Sequence, residues 1–335
     1  MPDLGLVSAI AIAAGLIACL GTGALIPALR RAAVLDRPNQ RSSHQTPTPR
    51  GGGLAPIAAI LLAWIASIAA GLVAPSVLLV VVSAMLLAAV SWFDDVGGLS
   101  PVTRLFAQAA AVLCGLLVEI PAGPVFQGWL PAVLDIVAAA LLWLWFVNLF
   151  NFMDGVDGLA GSEAAAIAIG LFLFASWGIG QNPGIAALSG ATALAAIGFL
   201  VWNWAPARVF LGDVGSVSLG YLLGFLLLDL AARGRWKLAL ILPLYFLADA
   251  TITLLRRLAR GERVWEAHRQ HFYQRAVQRG LGHGAVTARV IAANVLLIGC
   301  GWAAENGTGL YALAAAAVIV VVLLASLAWG GRLLH

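Results

Sequence analysis

Carboxylates are scarce in this chain: Asp and Glu together number 15 in 335 residues, and charged residues of both signs make up only 10%. So little charge beside 62% apolar residues and a mean hydropathy of +0.97 excludes a soluble domain. No water-borne fold buries that much apolar surface, and a lipid bilayer is the solvent such a composition requires. Cysteine is equally sparse. Cys19, Cys114 and Cys300 are odd in number, lie inside apolar runs and show no metal-ligand spacing, which excludes a disulfide framework and leaves them as small packing residues. No basic residue precedes the first apolar run, so that run reads as a retained span and not as a cleaved signal peptide. There is no long internal repeat, no low-complexity tail and no separate soluble domain, and residues 1–335 are read as one integral-membrane domain.

What is present is a succession of apolar runs of about 20 residues, the length needed to cross a bilayer as a helix. They predict an all-α polytopic fold with eleven transmembrane helices, at roughly 4–29, 53–72, 75–93, 103–119, 132–148, 162–179, 185–202, 215–231, 236–256, 287–304 and 309–330. The runs are continuous and do not alternate, which excludes a barrel. Basic residues set the orientation. With the N-terminus outside and the C-terminus cytoplasmic, 16 of the 19 Arg and Lys fall on the inside, and only Arg233, Arg235 and Lys237 fall outside. The pI near 9.3 therefore reflects membrane-edge loops that face anionic lipid and phosphates, and no nucleic-acid partner is expected.

This topology, chosen from Arg and Lys alone, brings most of the rare carboxylates to one face. Asp94 and Asp95 end the third span in Ser91-Trp-Phe-Asp-Asp-Val-Gly-Gly-Leu-Ser100. Two adjacent carboxylates at a negative helix C-terminus call for a bound cation or a shared proton, a solvated cap being the plain alternative. Asn151, Asp154 and Asp157, each three apart in Asn148-Leu-Phe-Asn-Phe-Met-Asp-Gly-Val-Asp-Gly-Leu-Ala-Gly161, lie near one face of a helical turn. An oxygen-only donor set of this kind suits Mg²⁺, and the run lacks the twelve-residue pattern of a calcium loop. In Phe210-Leu-Gly-Asp-Val-Gly-Ser216, Gly212 and Asp213 precede the eighth span, where helix N–H groups are open to a phosphate; Asp213 as a simple N-cap is the alternative.

Three further segments carry candidates. His268, Arg269, His271 and Arg275 in Val264-Trp-Glu-Ala-His-Arg-Gln-His-Phe-Tyr-Gln-Arg275 form a phosphate-binding combination. A zinc site there lacks a Cys or third His, and a lipid-surface helix is the bland reading. The Pro-rich loop from Asp36 to Gly53 holds His44 and ends in Arg50, Gly51 and Gly52, a set that suits an anionic head group or a mere linker. Asp249 stands out as the one clearly intramembrane carboxylate, and is either functional or paired with Arg256.

The order and spacing of Asp-Asp-Val-Gly-Gly-Leu, Asn-Phe-Met-Asp-Gly-Val-Asp-Gly-Leu-Ala-Gly, Phe-Leu-Gly-Asp-Val-Gly-Ser and His-Arg-Gln-His resemble the polyprenyl-phosphate N-acetylhexosamine-1-phosphate transferases, glycosyltransferase family 4, along nearly the whole chain. The Arg-Ser-Ser-His-Gln-Thr-Pro-Thr-Pro-Arg-Gly-Gly-Gly loop looks most like the branch that initiates O-antigen synthesis. The resemblance implies a multi-pass enzyme of the bacterial cytoplasmic membrane. Such an enzyme transfers a sugar 1-phosphate from a UDP-N-acetylhexosamine to undecaprenyl phosphate and releases UMP. It implies Mg²⁺, with Mn²⁺ able to substitute, and a homodimer as one state known in the superfamily. By the same resemblance Asp94 and Asp95 match the paired aspartates, Asn151, Asp154 and Asp157 the Asn/Asp motif, and Asp213 the metal-associated aspartate, while His271 falls in the His loop. The family's peptidoglycan branch has consecutive His residues here; Arg269, Gln270 and Phe272 replace them, which argues against that branch's substrate. Asp94 or Asp95 would then act as the base toward the lipid phosphate, with a phosphoryl-Asp intermediate as the competing route.

Overall fold

A computed structural model describes residues 4–36, 46–119, 123–178, 181–264 and 268–329. His44, Arg37, Arg41 and Arg332 lie outside these residues. The fold is helical, as the continuous apolar runs predict, and a helix stands at every predicted span: α1 (Leu4–Arg31), α2 (Leu54–Ala69), α3 (Leu78–Gly97), α4 (Pro101–Glu119), α5 (Ala132–Phe152), α6 (Leu159–Trp177), α7 (Pro183–Asn203) and α8 (Asp213–Leu230) are followed by α9 (Trp236–Ile241), α10 (Leu244–Ala259), α11 (Phe272–Gln278), α12 (His283–Ala303) and α13 (Gly309–Trp329). Eight helical stretches among the described residues are long and apolar enough to cross a membrane. The ninth predicted span is not one helix. It breaks at Leu242–Pro243 into α9 and α10, because proline offers no N–H to the preceding turn and clashes with it. The last two spans form one helical stretch of 47 residues that turns back at Asn306 and Gly307.

The core is α8, every residue of which is buried. It packs against α2, α3, α4, α5 and α6, and its aromatic residues meet theirs: Tyr221 stacks on Trp143 at 4.9 Å, and Phe225 lies 6.0 Å from Trp64. The outer helices bury only one face. Leu20, Phe106 and Tyr311 are 71%, 73% and 83% exposed, as side chains facing lipid would be. The one β element is a two-residue pairing in which Leu35–Asp36 lies antiparallel to Thr48–Pro49. It anchors the described end of the Pro-rich loop against the C-terminal end of α1 and brings Arg50 toward the N-terminus of α8.

Candidate active site

Five loop segments gather at one end of the bundle, as the charge-derived topology predicts. The Arg50–Gly53 segment is held on residues 209–212 by backbone bonds: Phe210 N–H donates to Pro49 O at 2.8 Å, Gly52 N–H to Phe210 O at 2.9 Å, and Gly53 N–H to Leu211 O at 2.8 Å. The amides of Gly52 and Gly53 are thus spent within the chain. Gly212 adopts φ +74°, and a Cβ there would stand 2.7 Å from an Asp95 carboxylate oxygen. Gly212→Ala should therefore destabilise the purified protein by about 1–3 kcal/mol of backbone strain plus the steric push on Asp95, read as a lower thermal midpoint. An unchanged midpoint would show that the turn tolerates a side chain.

Asp94 and Asp95 leave the last turns of α3 toward different partners. Asp95 is fully buried; its carboxylate accepts from the N–H groups of Asp213 and Val214, both at 3.0 Å, and forms an ion pair with Arg50 Nε at 2.8 Å. The α8 N-terminus, expected to meet a phosphate, holds this carboxylate, since helix N–H groups favour any anion. The capping role weighed for Asp213 accordingly belongs to Asp95: Gly212 is the cap position and offers no side chain. Asp94 accepts from Leu99 N–H at 2.5 Å and from Arg104 at 3.0 Å. Asp213 joins the two arginines, at 2.7 Å from Arg50 and 3.5 Å from Arg104. Burial, the largest influence on Arg50, disfavours its cation, but Asp213, Asp95 and Asp36 outweigh it and hold its pKa above the ordinary value.

Asp154 stands in the turn between α5 and α6, close enough to Asp213, Asp95 and Asp157 to feel their charge. Burial, then Asp213, pushes its pKa well above the usual carboxylate range. Among the described residues its carboxylate has no hydrogen bond and no ion pair, and the Asn151 side chain likewise has none. Four carboxylates (Asp94, Asp95, Asp154 and Asp213) therefore meet two guanidinium groups (Arg50 and Arg104), an excess of two formal negative charges. Asp157 belongs to a different set of contacts: its carboxylate lies 3.0 Å from His283 Nδ1 and accepts from Ala207 N–H at 3.0 Å. His283 carries no signal in the sequence beyond its rarity, as one of five His in the chain.

The His loop adjoins this turn. Tyr273 O–H donates to Phe152 O at 2.8 Å, and its ring lies against Gly155. The His268 and His271 rings are 4.8 Å apart. Burial, then the proximity of His271, lowers the His268 pKa to about 4, so at neutral pH His268 is an uncharged hydrogen-bonding group and adds no positive charge to a phosphate site. The Arg269 carbonyl accepts from Gln278. Arg275 lines a separate cavity of about 280 Å³ with Arg256, Phe272, Arg279, Ala328 and Trp329. Arg256 lies over the Phe272 ring at 4.7 Å and does not pair with Asp249, which faces His271. Nor is Asp249 alone inside the bundle. Glu163 of α6 is fully buried and accepts from Asn294 at 2.7 Å, an intramembrane carboxylate that sequence reading leaves unremarked beside its apolar neighbours.

Among the described residues no group of three or more His, Cys, Asp or Glu side chains closes around one point as a metal cage. The donors at the acidic cluster nonetheless fit a hard divalent cation. They are oxygens, the carboxylates outnumber the guanidinium groups four to two, and Mg²⁺ characteristically takes one or two carboxylates and leaves its other positions to water and substrate phosphates.

The family model described as "Glycosyl transferase family 4" matches residues 77–231, which contain Asp94, Asp95, Asn151, Asp154, Asp157 and Asp213. A probable undecaprenyl-phosphate N-acetylglucosaminyl 1-phosphate transferase of Bacillus subtilis is 27% identical over 278 residues, 77% of this chain and 75% of that protein. A decaprenyl-phosphate N-acetylglucosaminephosphotransferase of Mycolicibacterium smegmatis is 30% identical over 281 residues, covering 73% and 69%. A phospho-N-acetylmuramoyl-pentapeptide-transferase of Mycobacterium bovis is 31% identical over 264 residues, covering 64% and 72%. With the aspartates of the matched region gathered at one end of a helical membrane bundle, and with likeness that runs over most of both chains, this protein belongs to glycosyl transferase family 4.

Proposed function

We propose that the protein transfers an N-acetylated sugar 1-phosphate from a UDP-sugar to undecaprenyl phosphate, yielding undecaprenyl-diphosphate-sugar and UMP. The observation that carries the reading is the gathering of four carboxylates against two guanidinium groups, all four of them within the residues that the family model matches. The Arg and Lys bias supports a cytoplasmic position for this face, where a UDP-sugar is available, and the helical spans support an inner-membrane location. Substrate phosphate at the membrane edge can then meet the loop site. The glycine-rich first loop and the single His271 in place of consecutive His support an O-antigen or related envelope polysaccharide over peptidoglycan.

In the proposed reaction an oxygen of the lipid phosphate attacks the sugar-bearing phosphorus, the bond to the second phosphate of the donor breaks, and UMP leaves. Asp154, Asp213 and Asn151 would hold Mg²⁺, with Mn²⁺ as a substitute; when bound, the ion neutralises the pyrophosphate and stabilises the leaving group. Arg50 and Arg104, each 36–40% exposed, are placed to turn from the carboxylates to phosphate oxygens. Asp94 is better suited than Asp95 to take a proton from the lipid phosphate. Both Asp95 oxygens are spent on the α8 N-terminus and Arg50, whereas Asp94 faces the half-exposed Arg104 and the Asp213 carboxyl beside it.

Purified protein should release UMP only when a UDP-N-acetylhexosamine, undecaprenyl phosphate and a divalent cation are all present. Turnover undiminished in excess EDTA would remove the cation from this scheme, and UMP release without the lipid phosphate would remove the acceptor.

A further inference from the structure

Asp249 has no part in the acidic cluster, yet it is the most heavily hydrogen-bonded carboxylate in the protein's described residues. It sits fully buried in α10. One oxygen accepts from Phe272 N–H at 3.0 Å and lies 3.3 Å from His271 Nδ1 and 3.4 Å from Thr253 Oγ1. The other accepts from Tyr273 N–H and Tyr245 O–H, both at 3.3 Å. The first two amides of α11 thus point into a carboxylate supplied by another helix. At seven residues α11 is too short to be stable by itself, so this anchor fixes where it begins. A carboxylate facing Nδ1 favours the tautomer with the imidazole proton there, which makes Nε2 of His271 the acceptor nitrogen.

The anchor extends to the acidic turn. Tyr273 follows the anchored amides directly; its ring lies nearly parallel to that of His271, 5.6 Å away, and its hydroxyl donates to Phe152 O. A Cβ at Gly155 would stand 2.4 Å from that hydroxyl, so only glycine lets the turn that bears Asp154 rest on Tyr273. A continuous set of contacts therefore runs from Asp249 to His271 on one side and, through Tyr273, to the residues on both sides of Asp154.

We propose that Asp249 is a positioning residue that sets the tautomer and place of His271 and, through Tyr273, the spacing between the His loop and the Asp154 turn. The proposal rests on the transferase reading above, in which Asp154 serves the cation, and it takes His271, a phosphate-binding candidate of the His loop, to serve the donor side of the same site. Displacements of about 1 Å in such a site cost on the order of 10²-fold in rate.

The experiment is a double-mutant cycle on the full chain in detergent, with kcat and KM measured for both substrates. Asp249→Asn and His271→Ala should each lower kcat/KM by about 10- to 100-fold, and the double variant should fall no further than the worse single one. Losses that multiply would overturn the proposal, because a carboxylate that only supports the fold acts independently of His271. Should Asp249→Asn fail to fold, Tyr273→Phe tests the second arm, since it keeps the ring and removes only the bond to Phe152. It should raise the divalent-cation concentration needed for half-maximal rate several-fold and leave the KM for the UDP-sugar unchanged; an unchanged cation requirement would overturn that arm. Absence of UMP release from the wild-type chain is the failure of the transferase reading itself. Multiplying losses in an active wild-type background count against Asp249 alone.

Discussion

Asp213→Asn is expected to lower kcat by about 10²- to 10³-fold or more while the protein remains folded and monodisperse in detergent. The two halves of that expectation have separate physical grounds. Asparagine keeps the shape and one acceptor, and the amides at the start of α8 are capped by Asp95, so the helix does not depend on the Asp213 charge. What is lost is the carboxylate charge at which Arg50 and Arg104 meet. Asp95→Asn should behave in the opposite way. It removes the helix cap and the pairing of a fully buried carboxylate with Arg50, and should lower the thermal midpoint before activity can be read. UMP release at saturating substrates, paired with thermal midpoints for both variants, checks the contrast. Near wild-type rates from Asp213→Asn would leave that residue as a tether for the arginines and nothing more.

The sequence disclosed the membrane spans and the convergence of the acidic motifs, because both depend on patterns that act one residue at a time. Apolar length reports a span, and Arg and Lys bias reports a side. The division of labour inside the cluster was not legible. Asp94 and Asp95 are adjacent in sequence, yet a helix turns successive side chains about 100° apart, and only the packing of α3 against α8 decides that Asp95 meets the helix N-terminus. Asp157 and Asp154 are equally alike on paper; His283, 126 residues further on, engages one of them and not the other. The break of the ninth span at Pro243 could be read locally, but its consequence could not. It frees α10 to carry Asp249 to the start of α11, a contact across 23 residues that no periodicity announces.

These contacts also explain why one end of the bundle tolerates so much buried polarity. The carboxylates of Asp94, Asp95, Asp157 and Asp249 each receive at least one backbone N–H, so desolvation is offset by hydrogen bonds that a loop or helix end would otherwise leave unmade. Asp213 receives the Arg50 and Arg104 side chains instead, and Asp154 has no donor of either kind among the described residues. A half-buried carboxylate with like charges beside it and nothing to hold is unfavourable in the folded state, and it persists at functional sites because a ligand relieves it.

Asp154→Asn should therefore stabilise the cation-free protein and inactivate it. A carboxyl whose folded pKa is raised keeps its proton to higher pH than the unfolded chain, where the value is about 3.9. Its contribution is neutral below that pH. As pH rises the unfolded chain ionises first, and the folded state loses stability until the folded pKa is passed. In EDTA the variant should thus melt above wild type at pH 8, with the gap narrowing toward pH 4 to 5. Added Mg²⁺ should raise the wild-type midpoint more at pH 8 than at pH 5, because protons compete for the same oxygens, and this pH-dependent gain should vanish in Asp154→Asn. Turnover of the variant should fall by about 10²- to 10³-fold, the loss of a charged group aimed at the reacting phosphates. The paired measurements separate a cation ligand from a proton acceptor. If the variant is inactive but its midpoint still rises with Mg²⁺ as steeply as that of wild type, Asp154 handles a proton and the cation rests on Asp213 without it.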